Sequence, residues 1–148
     1  MKYKIYEHYI RDLSLFIGVF CEVTETKDVI ETCLDIDKNF GAKIALLYNS
    51  VYGNYKLPKD IVNILEHEDK ISILELKKNS IRLTFFIDYD GIDIFSRHIN
   101  KSIVFLSYFK KEKPKTPKIE IVKAKKIRDI YLEAKKNKTL EMEIVKSE

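Results

Sequence analysis

The chain has 148 residues, 45% of them hydrophobic and 34% charged, with only four Gly and three Pro. About one domain long, it buries roughly 68–70% of its unfolded surface without help from disulfides or metal, and its composition is that of a packed globular protein rather than a disordered one. The formal net charge is +4, and two cysteines, Cys21 and Cys33, are too few for a secreted disulfide framework.

Glutamine and tryptophan are absent, while Lys, Glu and Ile are abundant. That is a thermophile's composition, although an AT-rich genome also favours Lys and Ile codons. Cys21 and Cys33 read as buried thiols, with an intracellular bridge left open for a thermophile.

Tyr3, Ile5 and Tyr9 start a short first strand, and Leu13 to Val23 is β-branched and aromatic enough for a second, buried on both faces. Gly18 within it marks a bulge or a close approach. The nine-residue run LSLFIGVFC lacks the basic flank and cleavage site of a signal peptide and is too short to span a bilayer. A cytoplasmic protein is expected.

Thr26 reads as an N-cap with Asp28 in the first turn of a helix carrying Val29, Ile30, Cys33, Leu34, Ile36 and Phe40, stopped by Gly41. Ala42 to Tyr48 has the length of a strand, giving a β-α-β unit over residues 13–48. Asn49 to Leu57 is a loop, and Pro58 opens a short helix to Asp69.

From Ile71 the period becomes two. A two-residue turn at Asn79-Ser80 sets Leu76 against Leu83 and Leu74 against Phe85. A second turn at Asp90-Gly91 sets Tyr89 against Ile92 and Ile87 against Ile94. Both assign Leu74, Leu76, Leu83, Phe85, Ile87, Tyr89, Ile92 and Ile94 to one core face. Ser102 to Phe109 then completes a four-stranded antiparallel meander.

Prolines at 114 and 117 make Lys110 to Lys118 an extended connector. Ile119 to Val122 reads as a strand, Lys123 to Lys136 as a helix and Leu140 to Val145 as a last strand. The expected fold is therefore α+β: a core domain over residues 1–109 and a basic extension over 110–148, packed on the core or on a partner.

The stretch FFIDYDGIDIF offers three aspartates. Asp88, Asp90 and Asp93 supply hard oxygen ligands for Mg²⁺ or Ca²⁺, with Asp88 and Asp93 directly opposed across the second hairpin. The bidentate Glu of a calcium loop is missing, however, and Asp-Gly is a favoured hairpin turn in its own right, so no metal is expected. Glu75-Leu76-Lys77 fits the E-x-K tail of a metal-dependent nuclease, with Asp60 or Asp69 as the upstream acid. His8, His67 and His98 are too scattered for zinc. No Gly-rich phosphate loop or nucleophile elbow is present.

Charge is the clearer signal. Residues 1–109 carry 14 basic and 16 acidic side chains, a net of −2; residues 110–148 carry 13 and 7, a net of +6. A basic arm of this kind attracts phosphate backbones through counterion release. The expected contacts are Lys110, Lys111, Lys113, Lys115, Lys118, Lys123, Lys125 and Lys126, with Tyr52 and Tyr55 as platforms for unpaired bases. Residues thus point to a non-catalytic binding or accessory subunit for nucleic acid, without cofactor and without a membrane role. The alternatives are a small metal-dependent nuclease or phosphohydrolase, and a subunit whose partner is a protein or a second copy of itself.

Overall fold

The computed structural model describes residues 3–10, 15–22, 28–68, 71–94, 97–112, 114–139 and 141–144; for β1, β9 and most of β2 it describes the backbone. Strands β1 (Tyr3–Ile10) and β2 (Leu15–Glu22) are followed by helices α1 (Val29–Ile36) and α2 (Phe40–Gly53). Then come β3 (Val62–Glu66), β4 (Ile73–Lys78), β5 (Ile81–Asp88), β6 (Ile92–Ile94), β7 (Arg97–Ile99), β8 (Lys101–Lys110), α3 (Lys118–Lys136) and β9 (Glu141–Ile144).

The result is an α+β fold around a seven-stranded sheet ordered β3-β4-β5-β8-β2-β1-β9. Pairing is antiparallel except where β8 runs parallel to β2 and β9 parallel to β1. Both faces are covered. Val19, Leu76, Leu83, Phe85, Ile103 and Phe105 pack with Ile30 and Cys33 of α1 and Phe40, Leu47 and Tyr48 of α2. Phe20, Ile73, Phe86, Val104 and Leu106 pack with Ala124 and Tyr131 of α3. Val19 and Phe20, consecutive and both fully buried, fall in different clusters, so β2 is apolar on both faces as its composition predicts. Gly18 faces the irregularity between Glu7 and Tyr9 of β1.

The first predicted hairpin forms with the predicted register, Leu76 opposite Leu83 and Leu74 opposite Phe85. Asn79 takes a φ of 54°, the left-handed conformation that a tight two-residue turn requires. The second pairing does not form. Asp88 to Gly91 does turn, with Gly91 N–H donating to the Asp88 carbonyl at 3.3 Å, but β6 leaves the sheet and pairs with β7 instead. The second neighbour of β5 is β8, which sets Ile87 against Ile103 and Asp88 against Ser102. Ten residues of β8, buried from Ser102 to Ser107, close a longer ladder than three residues of β6. Tyr89 is accordingly half exposed rather than in the core.

Four other elements differ from expectation. Ala42 to Tyr48 belongs to α2, because Phe40, Ile44, Leu47, Tyr48 and Val51 recur at helical spacing and face the core, while Ala42, Ala45 and Leu46 face out. Gly41 lies in the first turn of that helix, so the N-terminal β-α-β unit is a helical hairpin between β2 and β3. Asp28, not Thr26, caps α1: its carboxylate accepts the Glu31 N–H at 3.0 Å, and Thr26 lies outside the described residues. Residues Val62 to Glu66 form an edge strand rather than a helix; their β-branched residues pair with β4, Val62 opposite Leu76 and Ile64 opposite Leu74. Finally, Ile119 to Val122 opens α3, since Pro117 sets the helical entry and Ala124, Arg128 and Tyr131 supply its buried side.

Among the described residues, no helix is long and apolar enough to cross a membrane.

Candidate nucleic-acid interface

Alternation along β4 and β5 puts Ile73, Glu75 and Lys77, and Arg82, Thr84, Phe86 and Asp88, on the face that carries α3. Helix α3 covers the apolar part, where Ile73 and Phe86 are fully buried. The next rung is polar and still buried: Glu75 opposes Thr84, whose hydroxyl lies 2.6 Å from that of Ser107. Glu75 accepts the Thr116 hydroxyl at 3.1 and 3.4 Å, which ties the 111–117 connector across the sheet. The last rung, Lys77 opposite Arg82, is cationic and only half-buried.

Strand β8 brings more charge to this end. Lys110 pairs with Ile81, and Lys111 N–H donates to the Ser80 carbonyl at 2.7 Å. Over the same tip opens a cleft of about 480 Å³, lined by Lys43, Asp60, Lys77, Lys78, Asn79 and Arg82. Lys78 is bound to Asp37, and this contact holds the Asp37 carboxyl below its ordinary value of 3.8. The Arg82 guanidinium donates Nη1–H to the carbonyls of Asn79 at 2.6 Å and Ile81 at 3.0 Å; its buried Nε–H has no acceptor among the described residues. Lys43 and Lys77 have no carboxylate partner among the described residues.

The residues expected from the sequence therefore divide. Lys110, Lys115, Lys118, Lys123 and Lys126 are exposed and unpaired among the described residues. Lys111 is half-buried at the tip, and Lys113 lies outside the described residues. Lys115 adjoins the Thr116–Glu75 contact, one rung of this face away from Lys77 and Arg82. Lys125 is committed to Glu66 at 2.9 Å and Glu68 at 3.1 Å, contacts that raise its pKa and lower that of Glu68. Two other cations of the extension also point inward. Arg128, almost fully buried, holds Glu68 at 2.8 Å and the Ile71 carbonyl at 2.8 Å, and Lys135 holds Asp88 at 2.6 Å.

Tyr52 and Tyr55 are not part of this surface. Tyr52 stacks on Tyr48, with ring centroids 6.3 Å apart, near the C-terminal end of α2, and Tyr55 follows that helix. Both lie across the sheet from α3 and at the far end of α2 from Lys43. Arg82, Lys43 and Lys78 went unnoticed in the sequence because they precede the basic extension, although the first hairpin's register already places Arg82 beside Lys77.

The acidic candidates separate too. Asp88 is buried and accepts Tyr131 Oη–H at 2.9 Å and Lys135 Nζ at 2.6 Å. Asp93 faces His98, with Nδ1 2.7 Å from its carboxylate, instead of Asp88. Asp90 is exposed in the turn. The E-x-K pair is split: Glu75 is turned inward onto Thr116, while Lys77 shares the cleft with Asp60; Asp69 lies outside the described residues. Among the described residues no group of three His, Cys, Asp or Glu side chains is placed to hold a metal ion. No protein-family model, curated protein or solved structure matches this chain.

Proposed function

We propose that the chain is a non-catalytic binding subunit that holds the phosphates of a nucleic acid at the β4–β5 tip. The observation that carries this reading is the cleft lined by Lys43, Lys77 and Arg82, with Asp60 as its acid, and the arrival of Lys110 and Lys111 beside the same hairpin. Phosphate oxygens supply acceptors for the ammonium groups, and release of condensed counterions drives the association. Exposed Lys118, Lys123 and Lys126 extend the track along the outer side of α3, up to Asp129 and Glu133. Function in the cytoplasm accords with such a ligand.

A second reading rests on Ile119 and Val122, which are 74% and 63% exposed beside these lysines and suit an acidic protein partner with an apolar centre. A metal-dependent nuclease is less favoured, since Glu75 is taken up by Thr116.

Labelled single- and double-stranded oligonucleotides separate the readings. The proposal expects retention at low ionic strength, unchanged by EDTA and without cleavage. Cleavage abolished by EDTA would establish the nuclease, and no retention of either oligonucleotide would overturn the nucleic-acid reading.

A further inference from the structure

At the opposite end of α2, a cavity of about 600 Å³ opens between the helix and the sheet, within the range of small-molecule sites. Its floor is Leu74, Phe85 and Ile87, on the face away from α3. Leu47, Val51 and Leu57 wall it from the helix side. Along β5 the seven residues from Arg82 at the basic tip to Tyr89 here span about 20 Å, while the loop before β3 borders both sites, with Lys59 on the cavity and Asp60 on the cleft.

The wall is fixed by the helix end. Asn54 takes a φ of 57°, Asn54 N–H donates to the Val51 carbonyl at 3.4 Å, and Tyr55 N–H donates to the Ser50 carbonyl at 3.0 Å. Two polar groups of this wall are already used. Ser50 Oγ donates to the Leu47 carbonyl at 2.8 Å, and Asn54 Oδ1 accepts Lys101 Nζ at 2.9 Å. The inner cavity thus favours hydrocarbon over a sugar or a nucleobase, which would leave its own polar groups unmatched.

The mouth is charged in one sense. Lys56 and Lys59 line it, no carboxylate does so among the described residues, and neither lysine has an acidic partner there. Tyr55 and Tyr89, 53% and 51% exposed, contribute amphipathic rings. We infer that this cavity binds an aliphatic monocarboxylate of medium chain length, its chain over Leu74 and Ile87 and its head group at Lys56 and Lys59. Branched aliphatic side chains outnumber aromatic ones in the interior, which favours an alkyl chain over a ring.

Octanoate, octylamine and acetate are the probes. Octanoate should raise the Tm by about 3 °C or more at ten times its midpoint concentration, whereas acetate, lacking the chain, and octylamine, carrying the wrong charge, should not. The surface variant Lys56→Glu should weaken the preference for octanoate over octylamine while leaving oligonucleotide binding unchanged. Amide chemical-shift mapping in the wild type supplies a readout independent of the variants, with octanoate moving Leu74, Ile87 and Tyr89. No octanoate shift, equal shifts from octanoate and octylamine, or mapped changes elsewhere would overturn the inference.

Discussion

Replacing Tyr131 by Phe tests how the extension is tied to the sheet. The Tyr131 ring is fully buried, edge-on to Phe20 and Phe86 with both centroids 5.5 Å away, so the substitution keeps its packing and removes the hydroxyl. What is lost is one hydrogen bond to the Asp88 carboxylate; Lys135 and the Asp90 N–H at 3.1 Å remain. A hydrogen bond to a charged group contributes about 1.5–3 kcal/mol, and with two partners left the loss falls near the lower end, about 2 kcal/mol. For a chain of this length that lowers the Tm by about 4–8 °C.

The pH dependence makes this prediction specific. Burial, reinforced by the charge of Asp88 and the hydrogen bond to it, holds the Tyr131 hydroxyl well above its ordinary value of 10.0. The folded state keeps the proton above pH 10 while the unfolded chain releases it. The stability from this group is therefore complete below pH 10 and declines as pH rises toward the folded value, by about 1 kcal/mol between pH 10 and 11. The Tyr131→Phe variant lacks this component, so the gap between wild type and variant should narrow by about half over that interval in urea unfolding followed by circular dichroism. A gap that stays constant from pH 8 to 11 would refute a hydroxyl buried against Asp88.

Asp28→Ala removes the α1 cap and should cost about 1 kcal/mol, a Tm loss of about 2–4 °C, with no change in oligonucleotide affinity. Cys33 is fully buried and its thiol is pushed up to about 12 by burial, with Asp28 adding to the shift. At pH 8 peptide mapping should find the Cys33 peptide unlabelled by iodoacetamide in native protein and labelled in urea; labelling of native protein at the unfolded rate would contradict this packing.

The elements legible in the sequence are those fixed by local chemistry. The Asn79-Ser80 turn determined its register because two residues leave no slack, and the alternation of Leu74 to Ile87 is confirmed as far as Ile87. What failed depended on distant partners. Asp-Gly turned at Asp90-Gly91, but local signals cannot show that β8 outcompetes β6 for β5. An apolar run such as Ala42 to Tyr48 suits either a strand or a buried helix, and only its continuation to Val51 at helical spacing decides. The excess positive charge was visible at the C-terminal end. Which of its cations face outward was not, because Lys125, Arg128 and Lys135 differ from Lys123 and Lys126 only in the carboxylates that the sheet presents to them.

The most direct measurement is the salt dependence of oligonucleotide binding, by fluorescence anisotropy, for wild type and for Lys77→Ala combined with Lys111→Ala and Lys115→Ala. Each lost phosphate contact flattens the log–log slope by about 0.7 on a single strand and about 0.9 on a duplex, so the triple variant should lose about 2 units on a single strand and about 3 on a duplex, while Lys56→Ala with Lys136→Ala, both toward the Asp88 end of β5, should lose none. Equal losses from both sets, or a wild-type slope near zero, would contradict a phosphate-binding surface at the β4–β5 tip.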